Sequence, residues 1–353
     1  MATLTCSQTK ASLKQPKNLS PRIQWLRDYY FQGIQRKWNN EFTAWTTGTP
    51  WDFQYNELAF YIVPETYAFL QTFRSSFKQS ARLAALPPDF WQRSLPERRA
   101  WFVREVMVHY LPREILPGDL LAGARFNVMI SMCFTREETA EWDKLIYGPD
   151  GARAAMLWYH NHGYGNAGAT SGHLVPGYEV VLKTGWRGIY EDLAQRHAAL
   201  STAEQRGPRG AQLRAMQTAA SMPRDLASEY RKAALSTAAG ETDPQRQREL
   251  LDLAEMLEHT PWEAPQTFHE AVQALWLTHM LVMSDENYPG PGVSFGRIDQ
   301  YLYPFWRRSL ETGMEREFGK EILKCLWVHC NTAYDGMIRT GGNQGITAGY
   351  GQL

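Results

Sequence analysis

Cysteine is scarce: Cys6, Cys133, Cys325 and Cys330 are the only four in 353 residues. So few thiols cannot staple a chain of this length, which excludes a disulfide framework and leaves reduced cysteines as the expectation. Long apolar runs are missing too. No stretch reaches the ~20 residues that span a bilayer. Met1–Pro21 carries Thr, Ser, Lys and Gln where a secretory leader needs an apolar segment, so a cytoplasmic location is expected. Net charge is also absent. Thirty-seven Lys and Arg balance thirty-seven Asp and Glu, and no field of one sign draws the chain to nucleic acid or to an anionic membrane. Finally, no repeat and no Gly-, Pro- or Ser-rich linker divides the chain.

Aromatic residues are plentiful, with 13 Trp, 17 Tyr and 15 Phe, and they supply the area for a large core. Residues 1–20 contain only isolated apolar side chains and are expected to form a flexible arm, with residues 21–353 as the folded part. From Trp25 to Phe77 the text predicts two helices around the turn-forming TTGTP at 46–50. Ser94-Leu95-Pro96-Glu97 reads as a helix start, followed by an apolar face of Trp101, Phe102, Val106 and Tyr110. ILPGDLLAGARFNVMISMCF at 115–134 reads as a buried strand, or a strand with its bend. Residues 201–260 predict surface helices broken at Gly207-Pro208, Pro223 and Gly240–Pro244, with Leu250, Leu253, Ala254 and Leu257 on one face. A buried helix is expected over 261–283, and one interrupted at Pro304 over 296–311.

The least ordinary segment is WYHNHGYGNAGATSGHLVPGY at 158–178. Five glycines among histidines and tyrosines permit close backbone approach, as in a loop that folds over a ligand. It is no phosphate loop, since GK[ST] does not follow and no GxGxxG links a strand to a helix. His160, His162 and His173 lack a carboxylate at ligand spacing, so no metal is expected. His269, His279 and His329 read as core or capping histidines. Cys325 and Cys330 fit no CxxC pattern and read as small buried hydrophobes, and Cys133 in its apolar run reads as inert. GGNQGITAGYGQL at the end is again glycine-rich and reads as a truncation of something larger.

ILPGDLLAGAR (115–125), SGHLVPGYEVVLKTGWRGI (171–189), PQTFHEAVQALWLTHMLV (265–282) and GRIDQYLYPFW (296–306) together resemble the glycyl radical enzyme superfamily related to pyruvate formate-lyase. Within it, RIQWLRDYYF, SLPERRAWFVREVMVHYLP and HGYGNAGATSGH look most like the α subunit of benzylsuccinate synthase and its fumarate-adding relatives. The resemblance runs from about Pro21 to Leu353. It implies an α/β fold, predominantly α by residue count: the N-terminal half of a ten-stranded barrel inside an extensive helical shell. It also implies a carbon–carbon lyase that adds toluene or a related methylarene to fumarate. An arylacetate decarboxylase or a diol dehydratase-like enzyme is the alternative within the superfamily, and a non-catalytic aromatic-rich binding module the alternative outside it.

Residue by residue, the resemblance implies that Tyr164 lines a hydrocarbon pocket. Ser171 and His173 open the SGHLVPGYE motif near the substrate chamber, and Gln344 lies in a segment bordering it. The superfamily's catalytic cysteine and radical glycine are expected beyond Leu353, so no catalytic residue is assigned here and these 353 residues alone are expected to be inactive. No cofactor is expected to bind this chain itself. The parent enzyme would carry a glycyl radical installed by an activating enzyme that uses S-adenosylmethionine and an iron–sulfur cluster, and would work with small accessory subunits.

Overall fold

A computed structural model describes residues 19–28, 58–60, 81–82, 86–110, 113, 115–123, 128–130, 133–164, 174–285 and 293–332. Helix α1 (21–28) is followed by strands β1 (Leu58–Phe60) and β2 (Ala81–Arg82). Helix α2 (Leu95–Glu105) runs on into a π-helical turn at Val106–Tyr110, and β3 (Val128–Ile130) comes next. Then come α3 (Arg136–Tyr147), α4 (Ala152–Asn161), α5 (Tyr178–Ala198) and α6 (Thr202–Arg206). The chain continues through α7 (Pro208–Gly240), α8 (Pro244–His259), α9 (Phe268–Asp285), α10 (Ile298–Glu311) and α11 (Arg316–Thr332).

Helix starts follow their capping chemistry. The helix start expected at Ser94 is realised on α2 as a reciprocal capping box of Ser94 with Glu97, and Thr135 with Glu138 forms another on α3. Both acids also reach across the fold. Glu97 accepts from Arg214 Nε of α7 at 2.8 Å, and Glu138 pairs with the buried Arg98 of α2. The caps therefore fix not only where a helix begins but which helix it leans on.

Helix α7 is the centre of the helical layer, with α2, α5 and α8 packed against it. Two expectations fail here. The segment is no surface helix, and it does not break at Pro223. Its buried side is made largely of alanines (Ala211, Ala215, Ala220, Ala227, Ala234 and Ala238), whose small side chains let neighbouring helices approach without a conspicuous apolar stripe. Pro223 is itself buried beside Met222 and Leu226. That packing offsets the ~3 kcal/mol a mid-helix proline costs. Pro304 likewise lies inside an unbroken α10, on its exposed side, where water can satisfy the carbonyl that loses its donor. The helices over 244–259 and 268–285 form where expected, and Leu250, Leu253, Ala254 and Leu257 are all buried.

The described strands make one small parallel sheet in the order β2-β1-β3, with Ala59 opposite Ala81 and Met129. Strand β1 stands where two helices are expected, and only its three residues carry that correction; the rest of 29–80 lies outside the described residues. The described residues are mostly helical and do not show a closed barrel. The predicted strand over 115–134 shrinks to β3, because 115–123 folds as an irregular buried segment.

Within α5 the backbone breaks at Gly185 (φ 64°), and the N–H groups of Trp186 and Arg187 donate to Pro261 and Trp262 carbonyls at 3.1 and 2.8 Å. A Cβ at Gly185 would lie 2.3 Å from the Trp262 carbonyl oxygen. Gly185→Val combines that clash with a left-handed backbone, and a stability loss of about 3 kcal/mol is expected in urea unfolding. A loss below about 1 kcal/mol would show that the α5 kink is soft.

Among the described residues no helix is long and apolar enough to cross a membrane, and no group of three or more His, Cys, Asp or Glu side chains is placed to hold a metal.

Candidate functional site

Polar side chains from four helices converge on the irregular segment 115–123. Gln273 of α9 pairs with both backbone groups of Ala122, accepting from its N–H and donating to its carbonyl, each at 2.8 Å. His269 Nε2 donates to the Leu120 carbonyl at 2.7 Å. Arg246 of α8 donates to the carbonyls of Asp119 and Leu116, and Arg22 of α1 to that of Gly118 at 3.0 Å. A strand would pair these groups with a neighbouring strand; here side chains satisfy them, and the segment stays irregular although buried. Gly123 (φ 118°) completes the fit, because a Cβ there would lie 2.8 Å from Trp276 Nε1.

A buried carboxylate–imidazole contact and a carboxylate bridging two arginines lock the segment. Asp119, 2% exposed, places Oδ2 2.7 Å from His329 Nε2 of α11 and accepts the Leu121 N–H with Oδ1. Glu249 bridges Arg22 and Arg246 at 2.5 and 3.0 Å. Burial pushes the Glu249 carboxyl up, but hydrogen bonds from Arg22 and Arg246 outweigh it and hold it below its ordinary value of 4.5. Glu97 and Glu138 are depressed in the same way, burial again opposing their arginine and cap hydrogen bonds. A carboxylate whose folded pKa is depressed contributes stability above its unfolded pKa and loses it as pH falls through the folded value. Burial also holds the His269 imidazole below its ordinary value of 6.5, so stability is expected to begin to fall below about pH 6.5, where the unfolded chain protonates this histidine, and to fall more steeply below pH 4.5 as the carboxylates protonate. Thermal melts from pH 7 to pH 3 check this, and a midpoint that rises on acidification would contradict it.

An aromatic interior continues from the His329 pair. Trp276 stacks on His329 with ring centroids 5.0 Å apart and lies 5.9 Å from His279. His279 Nδ1 is 2.7 Å from the Tyr178 hydroxyl, and Phe295 lies 4.2 Å from the His279 ring. Beside them Leu174 and Val293 form a parallel bridge, with Ser294 N–H donating to the Leu174 carbonyl at 2.9 Å. The last turns of α11, carrying Trp327, His329 and Cys330, close the same cluster. The roots of three segments are thus held together: the one that ends at His173, the one that ends before Val293, and the one that follows Thr332.

Of the predicted site residues, Ser171, His173 and Gln344 lie outside the described residues. Tyr164 is described and is 71% exposed. It sits past the end of α4 in a ladder of near-parallel rings, 6.3 Å from His162 and 5.9 Å from Trp158. Tyr164 packs on its own helix, and nothing else among the described residues covers it. A cleft of about 350 Å³ opens between α2, α5, α7 and α9, lined by Val103, Trp186, Met216 and Leu281, and no predicted site residue lines it.

Cys133, Cys325 and Cys330 are buried, as the sequence predicts, and burial pushes the Cys325 thiol far above its ordinary range. The three helical histidines are core residues with the partners given above. Sequence reasoning missed Asp119, Gln273 and the Tyr178–His279 pair. The only signal was a Pro-Gly-Asp turn that carries a charge inside an apolar run.

Comparison with known proteins places this geometry. The family model for pyruvate formate lyase-like proteins matches residues 148–351, more than half of the chain. The chain belongs to that family, and so to the glycyl radical enzyme superfamily. An isethionate sulfite-lyase from Oleidesulfovibrio alaskensis is 36% identical over 156 residues, covering 43% of this chain and 18% of that protein. A trans-4-hydroxy-L-proline dehydratase from Clostridioides difficile is 32% identical over 163 residues, 45% of this chain and 20% of that protein. A glycyl radical enzyme from Archaeoglobus fulgidus superimposes with a TM-score of 0.55 at 26% identity, covering 68% of this chain and 36% of that one. The matched stretch is thus about a fifth of the curated relatives' length. Those relatives are a lyase and a dehydratase.

Proposed function

We propose that the chain forms part of a glycyl radical lyase of the elimination type, which removes a leaving group or carbon dioxide from a small organic substrate. The family match over 148–351 carries this reading, and the sulfite-lyase and dehydratase relatives support the elimination class over the fumarate-adding one. When present, the glycyl radical supplies hydrogen-atom abstraction. The part taken by this chain is structural and steric. The Leu174–Val293 bridge and the end of α11 pack on one aromatic interior that excludes water, and Ser171, His173 and Gln344 are the residues proposed to meet substrate. An activating enzyme that uses S-adenosylmethionine and an iron–sulfur cluster is the required partner.

A second reading is addition of toluene or a related methylarene to fumarate, with small accessory subunits. One observation favours it: Trp158 and Tyr164 present exposed, near-parallel ring faces, suited to a ligand that offers shape and apolar area but no hydrogen bond. In that reading Tyr164 is the hydrocarbon wall.

The test is anaerobic activation of the complete polypeptide, followed by mass spectrometry of products from isethionate, a 1,2-diol, hydroxyproline and an arylacetate in one arm, and toluene with fumarate in the other. Elimination or decarboxylation products support the first reading, and benzylsuccinate establishes the second. No turnover in either arm by an enzyme carrying its radical would sink both. The 353 residues alone are expected to turn over nothing; turnover by them would show that the catalytic thiol is among the cysteines present.

A further inference from the structure

Two tyrosines share the aromatic interior but differ in what their hydroxyls meet. Tyr178 is 2% exposed, and its hydroxyl lies 2.7 Å from His279 Nδ1, an imidazole nitrogen able to take a proton. Tyr301 is half-buried, and its hydroxyl donates to the Phe295 carbonyl at 2.8 Å, an acceptor far too weak a base to keep a proton. The two rings are 6.3 Å apart, so Tyr301 links the buried ring to the surface. Burial pushes both phenols well above their ordinary pKa, so neither ionises on its own. Such a phenol gives up an electron readily only if its proton leaves in the same step, and only Tyr178 has a base in line to receive it.

We propose that Tyr178 and His279 form a redox-active pair, in which an oxidant of the peroxyl-radical class draws an electron from Tyr178 by way of Tyr301 while the phenolic proton passes to His279 Nδ1. The Tyr178 O–H bond breaks and an N–H bond forms on His279. The peroxyl radical is reduced to the peroxide anion, and Tyr178 becomes a neutral phenoxyl radical. One electron returned by a small thiolate, which leaves as a thiyl radical, brings the proton back from His279 and restores the pair. The site is a sink that keeps stray oxidation off Trp276, whose ring lies 5.9 Å from His279. It does not depend on the substrate reading above, since the oxidant need not come from the catalysed reaction.

The experiment is flash photo-oxidation of the full chain under argon with a ruthenium polypyridyl and a sacrificial acceptor, read by electron paramagnetic resonance. A neutral tyrosyl signal is expected, with its yield at least tenfold lower in Tyr178→Phe and in His279→Leu, and unchanged in Tyr147→Phe, which removes an exposed hydroxyl. The same measurement on unmutated chain labelled with ¹⁵N-histidine keeps the test decisive if a variant fails to fold. The radical's exchangeable proton should then couple to a histidine nitrogen. A signal that survives Tyr178→Phe, a wild-type radical with no histidine coupling, or no tyrosyl signal at all would overturn the proposal.

Discussion

Replacing Asp119 with alanine should cost about 3–5 kcal/mol, because it strips a buried histidine of its carboxylate partner. The same change leaves the Leu121 N–H without an acceptor inside the core. Asp119 is the point where the backbone of 115–123 is tied to α11, and at 2% exposure bulk solvent does not reach it to substitute. Asp119→Asn keeps an oxygen for Leu121 and should lose roughly half as much. Urea unfolding gives the energies. A second readout separates local from global damage: Cys325, buried on α11 close to Asp119, should become reactive toward a thiol reagent in Asp119→Ala well before global unfolding. An alanine variant as stable as the parent, with Cys325 still protected, would mean that the pair is incidental.

Arg98→Ala should be nearly as damaging, at about 3 kcal/mol, but its effect should be uneven. Arg98 is 3% exposed and holds three places at once: the Cys133 carbonyl at 3.0 Å, the Arg93 carbonyl at 2.6 Å, and Glu138 of α3. Cys133 adopts a left-handed backbone (φ 63°), costly for a residue with a Cβ, and the Arg98 bond helps to hold it there. Helix α3 buries none of its own residues, so Glu138 is its main tie to the core. Losing that tie should free the α3–α4 hairpin first. Limited proteolysis should then cut within 136–164 while α7 and α9 stay intact; cleavage scattered evenly along the chain would contradict that order.

What was legible in the sequence was local. Ser94 with Pro96 and Glu97 announces α2 because an N-cap and a first-turn acid are read within four residues, and His269, His279 and His329 announce themselves as core because their neighbours are apolar. Pro223 and Pro304 mislead because a proline's cost is local whereas the packing that overrides it is tertiary. The alanine face of α7 misleads for a related reason, since small residues carry little hydrophobic signal even when they sit at the tightest contacts. Segment 115–123 reads as a strand because burial and apolar content are the same for both outcomes; the partners that make it a loop, Gln273, Arg246 and His269, lie well over a hundred residues away. The family resemblance was visible in its motifs and is supported by comparison, whereas the fumarate-adding branch remains a proposal beside the elimination class. Tyr164 matches the motif by position and presents an exposed ring, which is the face the second reading assigns to a hydrocarbon.

The proposal that carries the most is that His173 and Gln344 serve one substrate chamber. Distance measurement between spin labels tests it, with His173→Cys and Gln344→Cys in a chain whose Cys6 is replaced by serine, the remaining thiols being buried. A single narrow distribution below the radius of gyration expected for a chain of this length, about 20 Å, is predicted. A broad distribution centred well beyond that distance would mean that the two segments diverge from their common root and share no chamber.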